Sequence, residues 1–206
     1  MTFGVILTTA VLLLILWLGN GIRRIGAVSV GETISDRNGS ALLLIDLQSV
    51  FWDRGPYLNA AKEAAAGVIL SEVEAARAQG HPVIAVRQEW SIPSTKAVAK
   101  LSMKGQAIEG SDGTEIAEVF TSLPDHVLIK RVQDAFETGE LDALLKSFDV
   151  GRLRLVGLDM NYCVQKTALA ARNRGYDVTV VKEGTLAAAP TERAEKQMSS
   201  AGVDVC

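Results

Sequence analysis

Leu153–Ala171, reading LRLVGLDMNYCVQKTALAA, decides how the rest of the chain is read. Leu153–Gly157 is an apolar run with the look of a strand. Leu158–Tyr162 is a short polar turn. From Cys163 onward, apolar Val164, Ala168, Leu169 and Ala171 predict a helix over Cys163–Arg174. A strand that hands over to a helix within a few residues is the mark of an alternating α/β chain. The handover also places Cys163 at a helix start, where backbone N–H groups lack intrahelical partners and the helix dipole favours negative charge. A thiol there is expected to have a depressed pKa, and the same N–H groups are able to hold an oxyanion. The competing reading is that Cys163 is a small buried apolar residue, as most free cysteines are.

Working outward, the alternation continues on both sides. Downstream, strand Asp177–Val181 precedes helix Thr191–Ser199, and Gly202–Val205 forms a last short strand. Upstream, ALLLID from Ala41 is a continuous apolar run ending in an acid, as expected of a strand buried on both faces of a parallel sheet. Ala60–Ala78 is an Ala-rich helix ended by Gly80. Strands follow at Pro82–Arg87 and Val127–Lys130, and a helix at Glu140–Phe148. Ser91–Gly113, with Pro93, Gly105, Gly110 and Gly113, reads as a long irregular surface loop of the kind that covers a site. The fold class is therefore α/β, a three-layer, mostly parallel Rossmann-like sheet with helices on both faces.

Ligands of such sheets bind beyond the carboxyl ends of the strands. The first strand ends at Asp46, followed by Gln48 and Phe51. The second ends in Arg87–Gln88–Glu89–Trp90, the third in Lys130–Arg131, and the fourth leads to Cys163. Singly, each has an ordinary explanation: Asp as turn former, Lys reaching solvent, Arg87 and Glu89 as a surface ion pair. Together they bring an acid, a base and a thiol to one sheet edge. Asp46 is suited to take the thiol proton, and Lys130 to stabilise the thiolate and restrain the acid.

These segments resemble the isochorismatase-like cysteine hydrolases from about Ser40 to the C-terminus. LLLIDLQSVF is similar to the family's first-strand motif, VLIKRVQDAF to the strand with its catalytic Lys, and VGLDMNYCVQKTALAARNRGYDVTVV to its nucleophile block. The resemblance implies a catalytic triad of Asp46, Lys130 and Cys163. It also implies a cis peptide at Leu158–Asp159 and an oxyanion hole made by the N–H groups of Asp159 and Cys163. Gln48 and Phe51 are expected at the pocket floor, Glu89 and Trp90 near its mouth. Family nicotinamidases hold a metal through an Asp and several His near the second strand. Here that region reads RQEW and the chain has only His81 and His126, so no metal and no cofactor are expected. Thr138–Gly139 reverses the family's usual Gly-Thr order, which concerns only the start of the next helix. True isochorismatases lack the Cys, so Cys163 points to an amide-type C–N bond in a small molecule. Family members often assemble, which leaves room for a homo-oligomer.

The remaining features set the frame. The 206 residues, 48% hydrophobic and 22% charged with net charge −3, suit one domain with a real core and give no reason to expect nucleic acid. Two cysteines, one of them terminal, make no disulfide framework. Residues 1–22 carry no charge and are apolar enough for a transmembrane anchor, where about 20 residues suffice. A cleaved signal peptide is the rival, but its basic leading region is missing. Arg23 and Arg24 follow the run, which by the positive-inside rule puts a single-pass protein's catalytic domain in the cytoplasm. Residues 23–40 read as a mobile linker, rich in Gly and Ser, that lets the domain at 41–206 stand off the membrane. The activity expected is that of a membrane-anchored amidohydrolase with a thioester intermediate. The alternative is a catalytically silent tethered scaffold of the same fold. A dinucleotide-binding oxidoreductase is disfavoured because no strand leads into G-x-G-x-x-G.

Overall fold

The computed structural model describes residues 2–206, with side chains from residue 6 onward; Met1, the first residue of the expected anchor, lies outside the described residues. In chain order the elements are α1 (Thr2–Ile25), β1 (Gly39–Ile45), α2 (Ser49–Trp52), α3 (Asn59–Ala78), β2 (Val83–Gln88) and α4 (Pro93–Ser102). Then come β3 (His126–Lys130), α5 (Glu140–Ser147), β4 (Val150–Leu158), α6 (Gln165–Asn173), β5 (Asp177–Leu186), α7 (Glu192–Ser200) and β6 (Asp204–Val205). The six strands form one sheet in the order β3-β2-β1-β4-β5-β6, and every pairing is parallel. All carboxyl ends therefore lie along one edge.

Period two explains why β1 is apolar throughout. Leu43 and Ile45 sit in one core with Ala168 and Ala171 of α6, whereas Leu42 and Leu44 face the other, with Ile69 and Val73 of α3. Burying each such side chain is worth about 1.5–3 kcal/mol, so β1 is held by both helical layers. At its end β1 meets β4 unusually closely. Gly157 has φ +120°, and a Cβ there would lie 2.1 Å from the Ile45 carbonyl oxygen. Only glycine permits that approach, and it sets the spacing of the two strand ends that bear Asp46 and lead to Cys163.

The structure departs from the sequence expectations in several places. Residues 91–113 are not irregular throughout, because Pro93 at the first helical position opens α4. Its Val98 and Ala99 pack with Ile25 of α1 and with Val50, Trp90 and Ala107, a contact too distant in sequence for a local pattern to announce. The fourth strand begins at Val150 and the fifth runs on to Leu186.

The expected mobile linker is instead pinned. Residues 27–38 have no regular structure, yet the Ser29 N–H donates to Asp134 Oδ2 at 2.7 Å and the Ser29 carbonyl accepts from Asn173 and Arg174. The Ile34 N–H donates to the Arg174 carbonyl at 2.8 Å, and Val28 and Ile34 pack on the main core. Buried Asp134 and Arg174 need partners, and the backbone of this stretch supplies several. Polar, Gly-rich composition signalled flexibility, but it equally suits a strap that lies flat on a surface.

Among the described residues, helix α1 packs on the domain through its last turns. Residues 6–17 are exposed, whereas Gly21 and Ile25 are buried and Leu18 is half-buried. A Cβ on Gly21 would lie 2.7 Å from the Ser94 carbonyl oxygen, so α1 and α4 are in close contact there. By length and composition Ile6–Ile25 could cross a membrane, at about 30 Å for 20 residues.

Candidate active site

Beyond the end of β1 the chain turns sharply at Asp46, whose φ is +53°. This left-handed conformation is one that Asp tolerates better than most side chains. Asp46 donates its backbone N–H to the Val86 carbonyl at 2.9 Å and accepts from the Gln48 N–H at 2.7 Å. Its side chain is 2% exposed. Lys130, at the end of β3 and fully buried, places Nζ 3.0 Å from Asp46 Oδ2 and 3.2 Å from Cys163 Sγ. Its third donor goes to Gln88 Oε1 at 2.6 Å. Asp46 Oδ1 is buried without a hydrogen-bond partner of normal geometry, while the Cys163 thiol lies close enough to interact with the carboxylate. A carboxylate, an ammonium and a thiol thus share one buried site.

Cys163 lies in a π-helical turn, Met160–Val164, that precedes α6, not in the first turn of the α-helix as the apolar spacing had suggested. Such turns are frequent at functional sites. The Asp159 carbonyl accepts from the Tyr162 N–H at 3.0 Å and the Val164 N–H at 3.2 Å. The Asp159 carboxylate caps the turn at the Asn161 N–H, 2.8 Å away, and takes the Ala188 N–H at 2.7 Å and the Tyr57 hydroxyl at 3.2 Å. The Leu158–Asp159 peptide is cis.

The electrostatics differ from the simple expectation of a depressed thiol pKa. Burial, and then the Asp46 carboxylate, push the Cys163 thiol well above its ordinary value, with Lys130 pulling back. Burial also raises Asp46, against the pull of Lys130. Burial opposes the charge on Lys130, but Asp46 and Cys163 outweigh it and hold the ammonium above its usual range. A buried cation favours one compensating negative charge and not two. The site therefore keeps Lys130 charged and one proton between Asp46 and Cys163. Passing that proton from sulfur to carboxylate leaves the net charge unchanged.

In front of the thiol is a cavity of about 400 Å³ lined by Asp46, Gln88, Cys163, Asp159 and a largely apolar wall. Phe51 and Trp90 are part of that wall, together with Tyr57, Met103, Leu158 and Tyr162. Gln48 and Glu89, expected beside them, are not. Gln48 is wholly buried behind the site, where it donates to the Gln88 and Thr114 carbonyls at 3.0 and 2.8 Å and accepts from the Gln88 N–H at 2.6 Å. Glu89 turns away to Arg87 at 3.4 Å, because successive residues of a strand end face opposite sides. Gln88 and Tyr57 were missed. The one signal for Gln88 was its place at a strand end, inside the Arg87–Trp90 segment already singled out. Tyr57 lies outside every motif.

The two histidines lie at the opposite edge, His81 just before β2 and His126 opening β3. Among the described residues no three His, Cys, Asp or Glu side chains come together as a metal site.

The model of the isochorismatase domain matches residues 40–206. The chain belongs to the isochorismatase family. Family relatives include the ureidoacrylate amidohydrolase RutB of Variovorax paradoxus, 24% identical over 171 residues that span 71% of this chain and 68% of that protein. The isochorismatase family protein YaaI of Bacillus subtilis is 32% identical over 146 residues, 69% of this chain and 78% of that one. Among solved structures, N-carbamoylsarcosine amidase of Thermoplasma acidophilum superposes with a TM-score of 0.69 at 25% identity, covering 82% of this chain and 95% of that one. The pyrazinamidase/nicotinamidase of Streptococcus mutans shares the fold, with a TM-score of 0.70 at 20% identity over 82% and 100% of the two chains. The strand order matches that of dinucleotide-binding sheets as well, but here β1 leads into Asp46–Leu47–Gln48 and not into a glycine-rich turn.

Proposed function

We propose that this isochorismatase-family chain is a membrane-anchored amidohydrolase that cleaves the C–N bond of a small amide through a thioester on Cys163. The observation that carries the reading is the shared contact of Lys130 with Asp46 and Cys163 at the floor of the cavity. The Cys163 proton passes to Asp46 as Sγ bonds to the substrate carbonyl carbon, and the electron pair moves to the carbonyl oxygen. The N–H groups of Asp159 and Cys163 hold that oxyanion. As the C–N bond breaks, Asp46 gives its proton to the departing nitrogen, leaving thioester and free amine. Water then attacks the thioester, giving a proton to Asp46. The C–S bond breaks, the acid leaves, and Asp46 returns the proton to sulfur. Lys130 stays charged throughout and keeps the two anionic forms in balance.

Incubation of the full chain with a panel of small amides, ureido acids and imides should release stoichiometric amine or ammonia. Rapid acid quench should give a mass increase equal to the acyl group, mapped to the Cys163 peptide. Turnover without an acylated Cys163, or labelling at Cys206, would count against the assignment. A silent scaffold would show neither turnover nor labelling.

The anchor reading is supported by the uncharged, exposed run of α1 and by Arg23 and Arg24 in its last turn. It is also supported by the packing of Gly21 and Ile25 on α4. Removal of α1 as a signal would strip a fitted face from the domain. The chain is expected to stay with membranes through carbonate extraction, with the domain on the cytoplasmic side. Recovery of a shortened soluble form beginning near Ala27 would overturn retention of the helix.

A further inference from the structure

The pocket wall and the anchor share one apolar cluster. Ile25 and Leu18 of α1 pack with Val98 and Ala99 of α4 and with Trp90, Phe51 and Met103, and the last three also line the cavity. The end of α4 and the turn after it supply Ser102, Met103 and Gln106 to the same wall. The cover of the site is thus fastened to the end of the apolar helix, and the strap that follows is itself tied to the domain through Ser29 and Ile34. Large apolar side chains are exposed on cavity-lining residues or on their immediate neighbours in the chain. Tyr162 lines it and is 52% exposed, Leu58 follows Tyr57 and is 79% exposed, and Leu101 precedes Ser102 and is 76% exposed. Exposed Lys100 and Lys104 flank Leu101, and exposed Arg23 and Arg24 lie at the same end of α1. Apolar tips among basic residues at the foot of a membrane-length helix fit an anionic lipid surface.

Among the described residues the wall holds no cation for a substrate anion. Its charged members are Asp46, engaged by Lys130, and Asp159, held by Tyr57, Asn161 and Ala188. Lys130 itself is fully buried. A substrate carboxylate would be desolvated without a partner.

Building on the amidohydrolase reading, we infer that the pocket opens at the membrane surface and takes an uncharged, lipophilic amide that partitions into the bilayer. The chemistry at Cys163 is unchanged; the bilayer is the reservoir and aromatic side chains receive the apolar part.

The full chain, reconstituted in phosphatidylcholine–phosphatidylglycerol vesicles, is assayed with a homologous series of neutral alkyl amides and with ureido acids of matching length. At fixed total amide, added lipid should slow turnover in proportion to the diluted bilayer mole fraction. The specificity constant, referred to free aqueous amide, should rise about fourfold per methylene until the cavity is full. The ureido acids should be poorer by about a hundredfold. An environment-sensitive fluorophore on Leu101→Cys, in a Cys206→Ser background, should shift to the blue on vesicles. Turnover that follows aqueous amide alone, or an unshifted probe, overturns delivery from the membrane. Ureido acids cleaved as well as neutral amides overturn the uncharged substrate and leave the amidohydrolase reading intact. Failure of every amide, with no acylation of Cys163, removes both.

Discussion

Asp46→Asn is expected to cut turnover about 10³-fold while making Cys163 easier, not harder, to ionise. In the native site Lys130 already has the Asp46 carboxylate as counter-charge, and burial plus that carboxylate keep the thiol protonated. Asparagine removes the negative charge and leaves a buried ammonium 3.2 Å from sulfur. The cheapest way to neutralise it is to ionise the thiol, so the alkylation profile should shift to lower pH. Turnover falls nonetheless, because asparagine neither accepts the thiol proton nor protonates the departing nitrogen. Cys163→Ala should have no measurable turnover. Adding Asp46→Asn to it should cost nothing more, since members of one catalytic unit fail together. The pH dependence of iodoacetamide labelling, followed by peptide mass mapping, separates these outcomes. A thiol pKa that rises in Asp46→Asn would show that the carboxylate does not oppose ionisation and that the proton-sharing account is wrong. Cys206, exposed at the terminus, should label alike in every variant.

Lys130→Met is expected to act on both stability and chemistry. It leaves the Asp46 carboxylate buried beside an unchanged thiol, and breaking a buried pair in this way costs about 3–5 kcal/mol. The sign with pH follows from the direction of the shift. Lys130 has its folded pKa raised, so its contribution is complete below the ordinary lysine value and is lost only as pH rises through the folded one. At neutral pH the variant therefore forfeits all of it. Asp46 should respond by taking up a proton, so the variant regains stability on acidification relative to the native chain. With the cation gone, the thiol has nothing to favour its ionised form, and both alkylation at neutral pH and turnover should fall steeply. The double variant Asp46→Asn/Lys130→Met should recover much of the stability and none of the activity. Urea melts at several pH values, read beside initial rates, test this. A single variant as stable as the native chain at neutral pH would mean that the pair is not compensated in the way described.

The layered α/β plan could be read from residues 41–206 because its signals are local. Apolar runs such as Ala41–Ile45 have the length and continuity of strands covered on both sides, and the Ala-rich 60–78 stretch has the composition of a helix. Parallel strands align their carboxyl ends, which is enough to bring Asp46, Lys130 and the turn before α6 to one edge. Recognition of three short motifs then singled out those residues from all others at that edge.

Tertiary structure decided what depended on partners far away in the chain. Gln88 became the support of Lys130, and Gln48 the brace behind it, because two adjacent strand ends aim those side chains inward. Glu89, one residue on, faces away. Tyr57 entered the site by reaching Asp159, 102 positions later. The stretch at residues 27–38 looked like a free linker because nothing in its composition reveals the buried Asp134 and Arg174 that its backbone satisfies. Helix α4 was hidden for the same reason, since its apolar face is completed by α1. The thiol pKa shows the division most clearly. A helix start argues for a low value, and it is a local property visible in sequence. Burial beside a carboxylate argues for a high one, and it exists only once four strands have brought Cys163, Asp46 and Lys130 into one buried place.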